Sequence, residues 1–409
     1  VSTSESPVLD GSRLPVASPV APHPVVARAA RVRAWLVQRL RPPLRDALPA
    51  LMLYYSIQAV GFAVLAVMAN RSGIGLAGLL TQHDASWYLH IAGNGYDQDV
   101  VLDAEGNPAE VSLAFFPLYP AFVAAVSALG FGPVPAGLLV TLLAGGAAAW
   151  GLFVLGRDLV ERRAGILFAG LWAMAPGAVV LHLVYSEALF VALAVWTLVA
   201  LRRRWWLTAA VLTVAAGLTR ITAVALIAAV CIAAVVALLR RNGGWRAAAA
   251  LLLAPLGLLA HLGYVALRAG RADAWFWLQG QAWHVRFDAG AFTVRRLREA
   301  LFQGGSAGWV LLVALVVLAS LVLLLWSYTT RLPLTAHVYT TLVVLMALGS
   351  SEFWQSRPRF LLPAVTLVFP VAVLLARLPK RALLVLLPSG ALVAGWFGAF
   401  LLTVVPINP

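Results

Sequence analysis

Apolar residues along this chain gather into runs of about 17 to 22, too long and too continuous for strands and long enough to cross a ~30 Å hydrocarbon core. Eleven such runs are predicted as spans: 47 to 68, 134 to 155, 164 to 183, 186 to 201, 203 to 219, 221 to 239, 247 to 267, 308 to 326, 333 to 350, 360 to 376 and 382 to 402. The stretch 113 to 129 is different. It opens on FFPLYP (115 to 120), whose prolines confine helix to the residues after them, and only about a dozen apolar residues remain before Gly130 and Gly132. It reads as an interfacial or re-entrant helix. The fold expected is an all-α polytopic membrane bundle, a single domain over 47 to 409, with outer loops at 69 to 133 and 268 to 307.

Before the first span, residues 1 to about 27 are rich in Pro, Ala and Ser and read as irregular. Residues 28 to 46 carry six arginines between apolar residues, the pattern of a basic amphipathic segment on an anionic leaflet. That places 1 to 46 in the cytoplasm. With eleven spans the inner side then holds 20 Lys and Arg against 5 acids, and the outer side 10 against 11. Counting 113 to 129 as a twelfth span would invert every later loop and destroy this positive-inside bias.

Composition agrees with the membrane reading: 62% of the 409 residues are hydrophobic and 11% charged. Of the basic residues 29 are Arg and only Lys380 is Lys. That balance, in an Ala-, Val- and Leu-rich chain, follows from a GC-rich genome and gives no reason to invoke nucleic acid. Val1 fits a GTG start codon and a bacterial source. The single Cys231 excludes an internal disulfide or a cysteine metal site. There is no HExxH spacing, no Walker loop and no Rossmann glycine fingerprint. The acids Asp97, Asp99, Asp103, Glu105 and Glu110 read as a solvated loop before they read as a cation site.

Under this topology the unusual polar residues share the outer face: Asp84, Glu187 in YSEALF, Arg220 in LTRITAVAL, Gln281, Trp283 and His284 after the seventh span, and Glu352, Arg357 and Arg359 before the tenth. Ionisable groups at membrane depth are costly and mark pathways or sites. Asp84 opens DASWYLHIAGNGY. It is either a helix N-cap or, with Trp87, Tyr88 and Ile91 following at helical spacing, a general base on a short helix whose aromatic face rests on the membrane. Arg220 either pairs with Glu187 or binds a phosphate, since guanidinium offers bidentate donors. Arg357 and Arg359 flank Pro358, which would aim both into one cavity. His182 is expected near Glu187. His284 is a candidate for a sugar hydroxyl or phosphate oxygen.

Taken together, the acid of the first outer loop, an aromatic and Ile-Ala-x-x-Gly-Tyr (91 to 96), then FFPLYP, then Tyr-Ser-Glu (185 to 187), then Thr-Arg (219 to 220), resemble the GPI mannosyltransferase II (PIG-V-like) family of the GT-C glycosyltransferases. The likeness is strongest to bacterial members and runs from about residue 50 to 365. Many relatives have Trp where this chain has His83. The resemblance implies an inverting transferase acting outside the cytoplasm without a resident metal, taking a hexose, usually mannose, from a polyprenyl phosphate to a hydroxyl of a glycolipid or other acceptor. It makes Asp84 the catalytic residue, has Phe116, Pro117 and Tyr119 shape the second interfacial helix, and has Glu187 and Arg220 line the core. From placement alone, Arg220, Arg357, Arg359 and His284 are assigned to the donor phosphate. Trp87, Tyr88, Phe116, Tyr119, Tyr185, Glu187, Gln281, Trp283 and Glu352 are assigned to the substrate cavity. A transporter or flippase of polyprenyl-linked sugars is the alternative, but no inverted repeat supports it; a non-catalytic scaffold is a third reading.

Overall fold

The structure, a computed structural model, describes residues 24–303 and 307–405, with side chains from Leu44 onward. The chain divides into two compact units, Val1–Asp46 and Ala47–Pro409, and the second holds the whole helical bundle beyond the start of its first helix. The helices, in order, are α1 (Pro24–Ser72), α2 (Leu76–Thr81), α3 (Asp84–Asn94), α4 (Leu118–Ser127), α5 (Pro133–Leu159) and α6 (Arg162–Ala173). There follow α7 (Glu187–Arg202), α8 (Trp206–Gly217), α9 (Ala223–Leu239), α10 (Gly244–Leu253), α11 (Leu256–Ala269) and α12 (Ala274–Gln281). The last six are α13 (Ala291–Phe302), α14 (Gly308–Ser327), α15 (Leu334–Gly349), α16 (Arg357–Leu361), α17 (Phe369–Leu375) and α18 (Lys380–Thr403). Pro24–Val26 and Ala27, expected to be irregular, are helical; residues 1–23 lie outside the described residues.

Every predicted apolar run is largely helical, and the chain is a multi-pass helical membrane protein. Leu44–Ser72, α5, Gly244–Ala269, α14 and α18 are each long and apolar enough to cross a membrane. A bent pair, Trp354–Leu361 with Val365–Leu375, makes a sixth if taken as one span. The remaining runs are shorter: α8 has 12 residues, about 18 Å of helix at 1.5 Å per residue. The stretch 113 to 129 contains the 3-10 turn Ser112–Ala114 and the ten-residue α4, as its prolines require.

Three predicted spans are interrupted, the mildest being 247 to 267, which divides into α10 and α11 at Ala254 and Pro255. The run 164 to 183 stops as α6 at Ala173, before Pro176, and resumes only as the 3-10 turn Ala178–His182. The run 360 to 376 bends by 77°, because Pro363 has no N–H to donate and its ring excludes the continuing helix. Carbonyls freed at that break are taken up by side chains: Trp172 Nε1 donates to the Leu362 carbonyl (3.3 Å) and the Tyr339 hydroxyl to that of Pro363 (2.8 Å). Broken helix within a membrane protein survives where neighbours satisfy its backbone in this way.

The largest core lies where α5 packs against α6 and α7, with α15 and α17 closing it. Gly156 and Gly165 let α5 and α6 touch backbone to backbone; a Cβ on Gly165 would lie 2.4 Å from the Phe153 carbonyl oxygen. Gly177 does the same for the segment that opens α16. A Cβ there would stand 2.2 Å from the carbonyl oxygen of Pro358 and 2.7 Å from the nitrogen of Arg359.

The segment between α1 and α5 is pinned at several points. Asp97 and Ser112 exchange hydrogen bonds, the Asp97 N–H to the Ser112 hydroxyl (2.8 Å) and the Ser112 N–H to Asp97 Oδ2 (2.7 Å). His90 Nε2 stands 3.2 Å from Asp97 Oδ1. The Tyr96 hydroxyl donates to the Phe115 carbonyl (2.8 Å) and Trp275 Nε1 to that of Ala114 (3.1 Å). The Leu118 N–H reaches the Leu218 carbonyl (2.9 Å), tying α4 to the end of α8. Together these clips fix α3 and the FFP turn as one rigid face.

Gly177→Ala forces the Pro358–Arg359 backbone to move, and lowers stability by about 1–3 kcal/mol, as overpacking does; a reduced melting temperature in detergent is the reading. Burial by itself would raise the Asp97 carboxyl, but the hydrogen bonds from the Ser112 backbone and hydroxyl and from His90 outweigh it and hold that carboxyl below the usual range. A depressed native value stabilises above the unfolded value of about 4 and is lost as pH falls through the native one. Asp97→Asn is therefore less stable than wild type at neutral pH, and the gap closes in melts taken at progressively lower pH.

Candidate functional site

Asp84 is the first residue of α3, and its carboxylate does not cap the helix. His83 takes the N-cap position, with φ 58° and no side-chain cap bond. Asp84 instead reaches across the fold: its Oδ2 accepts from Nη2 of Arg359 on α16. Nε of the same guanidinium donates to Glu187 Oε1 at 2.6 Å. That oxygen also receives Nη1 of Arg220 at 2.8 Å. Two arginines and two carboxylates thus form one chain, Asp84–Arg359–Glu187–Arg220, drawn from four separate elements.

Burial is graded along it. The Glu187 side chain is 0% exposed and that of Arg359 9%, whereas Arg220 keeps 15% and Asp84 24%. The cluster is therefore sealed at Glu187, in its interior, and opens at both ends, more at Asp84 than at Arg220. Oε2 of Glu187 and Nε of Arg220 are both cut off from solvent and have no hydrogen-bond partner among the described residues. Buried polar atoms are nearly always paired, so these two are hydrogen-bonding capacity that the cluster's own side chains leave unmet. The Arg359 guanidinium lies 4.5 Å over the Tyr185 ring, which fixes its plane. Ser186 links the cluster to α3: its hydroxyl accepts from Arg220 Nη1 (3.0 Å) and pairs with the Tyr88 hydroxyl (2.7 Å).

Beside the Asp84 end stands an aromatic wall. Trp87 stacks on Phe115 (5.7 Å between centroids), and Trp283 meets both rings edge-on at 5.6 and 5.5 Å. Tyr88 continues the wall to Phe115 (5.3 Å) and Tyr119 (5.0 Å), and the Tyr119 hydroxyl pairs with Thr141 (2.8 Å). The aromatic face of α3 was expected on the bilayer surface; it turns inward, because Phe115 and Trp283 offer it a partner.

Other expected members go elsewhere. Arg357 and Arg359 do not share a cavity: in the first turn of α16 they point apart, and Arg357, wholly buried, donates to the Ala347 carbonyl (2.7 Å), the Ser350 hydroxyl (2.6 Å) and the Ser350 carbonyl. Phe116 leaves the wall and packs on His261 (4.2 Å) and Trp275 (6.0 Å). His182 ends its 3-10 turn against Phe62 and Gly61, not at Glu187. Gln281 closes α12, half-buried, two residues before Trp283. Glu352 is exposed. His284 contributes its backbone, whose carbonyl accepts from the Ser351 hydroxyl (3.3 Å). That contact belongs to a seam joining 284–288 to 349–351, with the Asp288 N–H on the Gly349 carbonyl (2.8 Å) and the Ser351 N–H on that of Arg286 (2.7 Å).

Sequence reasoning missed Phe115, Ser186 and Gly177. Phe115 and Ser186 sit beside residues it did select, within FFP and YSE, so adjacency was the available signal there; nothing singled out Gly177. Backbone strain adds another pointer. Among the described residues seven non-glycines have positive φ, and His83, His284, Glu352 and Phe353 all fall in the loops around this cluster; such strain concentrates at functional sites. The acidic loop turns inward on itself, with Asp103 accepting from the Glu105 and Asn107 N–H groups, and the described residues contain no group of three or more His, Cys, Asp or Glu that could hold a metal ion.

No protein-family model and no curated protein matches the chain. Among solved structures it is similar to ArnT from Cupriavidus metallidurans bound to undecaprenyl phosphate, with 16% identity and a TM-score of 0.49 over 85% of this chain and 75% of that one. The apo state of the same protein aligns at 19% identity and a TM-score of 0.48, over 80% of this chain and 60% of that one.

Proposed function

We propose that this chain is a GT-C-type inverting glycosyltransferase of the bacterial inner membrane, moving a hexose from a polyprenyl phosphate to a hydroxyl of a glycolipid or other acceptor outside the cytoplasm. The observation that carries the reading is the graded cluster: a partly exposed carboxylate, Asp84, beside two arginines held by a sealed glutamate, under an aromatic wall. The ordered motifs around Asp84, Phe115 to Pro120, Glu187 and Arg220 support mannose as the sugar and the PIG-V-like family as the kin. In this reading the topology is the one drawn from the sequence, eleven crossings with a cytoplasmic N-terminus, and the cluster lies on the outer face.

The chemistry fits these groups. As the acceptor oxygen bonds to the sugar's anomeric carbon, the bond from that carbon to the phosphate oxygen breaks, and its electron pair leaves with the polyprenyl phosphate. Arg359 and Arg220 stabilise the charge growing there. A phosphate is already a good leaving group, so no general acid is needed. The acceptor hydroxyl passes its proton to the carboxylate of Asp84, which must lie on the sugar face opposite the phosphate for inversion, as the base does in inverting glycosidases. The wall of Trp87, Phe115 and Trp283 suits the apolar faces of a sugar ring or a prenyl unit. Arg357 and His284, placed on the seam, shape the loop at the mouth rather than the phosphate contact.

The test is transfer itself. With radiolabelled polyprenyl-phosphate mannose and a membrane lipid extract, the purified protein yields a labelled product. Asp84→Ala lowers the rate by at least the ~10²–10⁴-fold contributed by a positioned base, and turnover at the wild-type rate would remove Asp84 from the chemistry. No divalent metal enters this scheme, so transfer persists in EDTA; loss restored by added metal would require a different account.

A further inference from the structure

The same cluster poses a problem for a phosphate-binding role. Two guanidiniums and two carboxylates sum to zero charge, and the arginine next to Asp84 is already engaged at both ends, by Glu187 through Nε and by Asp84 through Nη2. An incoming phosphate meets cations that are already neutralised until one carboxylate gives way. Glu187 is sealed and shared between two arginines, so leaving would strand both. Asp84 is the exposed member, at the first turn of a short helix entered through the strained His83. It is the partner that can be displaced.

We propose that the Asp84–Arg359 pair is a latch opened by the phosphate of the donor. Arg359 keeps its Nε on Glu187 and its plane on Tyr185, and turns its Nη donors from Asp84 to a phosphate oxygen; the fork of guanidinium allows one edge to stay while another exchanges. Arg220, anchored to Glu187 and Ser186 through Nη1 and keeping 15% exposure, stands as the second cation. The carboxylate of Asp84, released from the guanidinium, then has both oxygens available to accept the acceptor's proton. Proton removal from the acceptor thereby becomes conditional on a seated donor, and binding is ordered, donor first. Glu187 is the positioning residue of this device. The inference rests on Arg359 being a phosphate-binding cation of the proposed transferase.

In that arrangement Asp84 competes with the phosphate, and removing its charge helps the phosphate bind. Undecaprenyl phosphate, titrated into the full-length protein in detergent, is the probe. Asp84→Asn binds it about three- to tenfold more tightly than wild type, the scale of one partly exposed ion pair, while Asp84→Glu, which keeps the charge, binds no tighter. Equal or weaker binding by a monodisperse Asp84→Asn protein overturns the latch. If that variant does not fold, amide exchange in the wild type supplies the reading: bound lipid speeds exchange at residues 84–86, and unchanged or slower exchange overturns the proposal. Failure of the latch and of the base assignment are separable. An Asp84→Asn protein that binds more tightly yet still transfers sugar keeps the latch and removes the base; one that neither transfers nor gains affinity keeps the base and removes the latch.

Discussion

Everything at the site hangs on one wholly buried carboxylate. Glu187 begins α7 with 0% exposure and holds two arginines by a single oxygen, Oε1. Burying an unpaired guanidinium in a membrane protein costs several kcal/mol, so neither Arg220 nor Arg359 has a stable inward position without it. Glu187 in turn is tolerable only because both cations reach it. The α8–α9 turn, α16 and the start of α7 are thus bound to a common point, and Asp84 on α3 is brought to it through Arg359. The electrostatic requirement decides where four elements meet.

Prolines and glycines make that meeting possible. Arg359 can enter the core only because the chain stops being a straight helix there: Pro358 opens α16, Pro363 bends the path by 77°, and Trp172 and Tyr339 satisfy the carbonyls the bend releases. Gly177 admits the Pro358–Arg359 backbone at a distance no side chain would allow. A continuous span from 360 to 376 would have pointed Arg359 along its own helix surface. The break is the means by which a charge is delivered inward.

Much of the fold was legible in hydrophobic run length, because a bilayer imposes that signal directly on sequence. The eleven apolar runs are largely helical, and the FFPLYP prolines forecast the shortness of α4. The breaks after Ala173 and Leu361 were not read, although Pro176 and Pro363 stood in view, since proline is often accommodated within membrane helices and only the surrounding partners decide. At the site, residue type found Asp84, Glu187, Arg220 and Arg359 and allowed for the Glu187–Arg220 pair. It could not find which arginine of SRPRF reaches Glu187, because Arg357 and Arg359 are two residues apart and turn to opposite sides of a single helical turn. The same limit applies to Phe115 and Phe116, adjacent in sequence and assigned by the fold to different clusters.

The asymmetry of the cluster carries the final step. Had all four charged side chains been sealed, the group would be a structural staple. Had all four been open, surface ion pairs of this kind would contribute little. The gradient from Glu187 at 0% to Asp84 at 24% exposure separates the two tasks. The inner half supplies rigidity, with Tyr185 beneath Arg359 and Ser186 coupling Arg220 to Tyr88. The outer half keeps a carboxylate on the arginine, at the start of the helix that carries Trp87 and Tyr88. A base that has to respond to a bound anion needs such a position: close enough to the cation to sense it, and exposed enough to let it go.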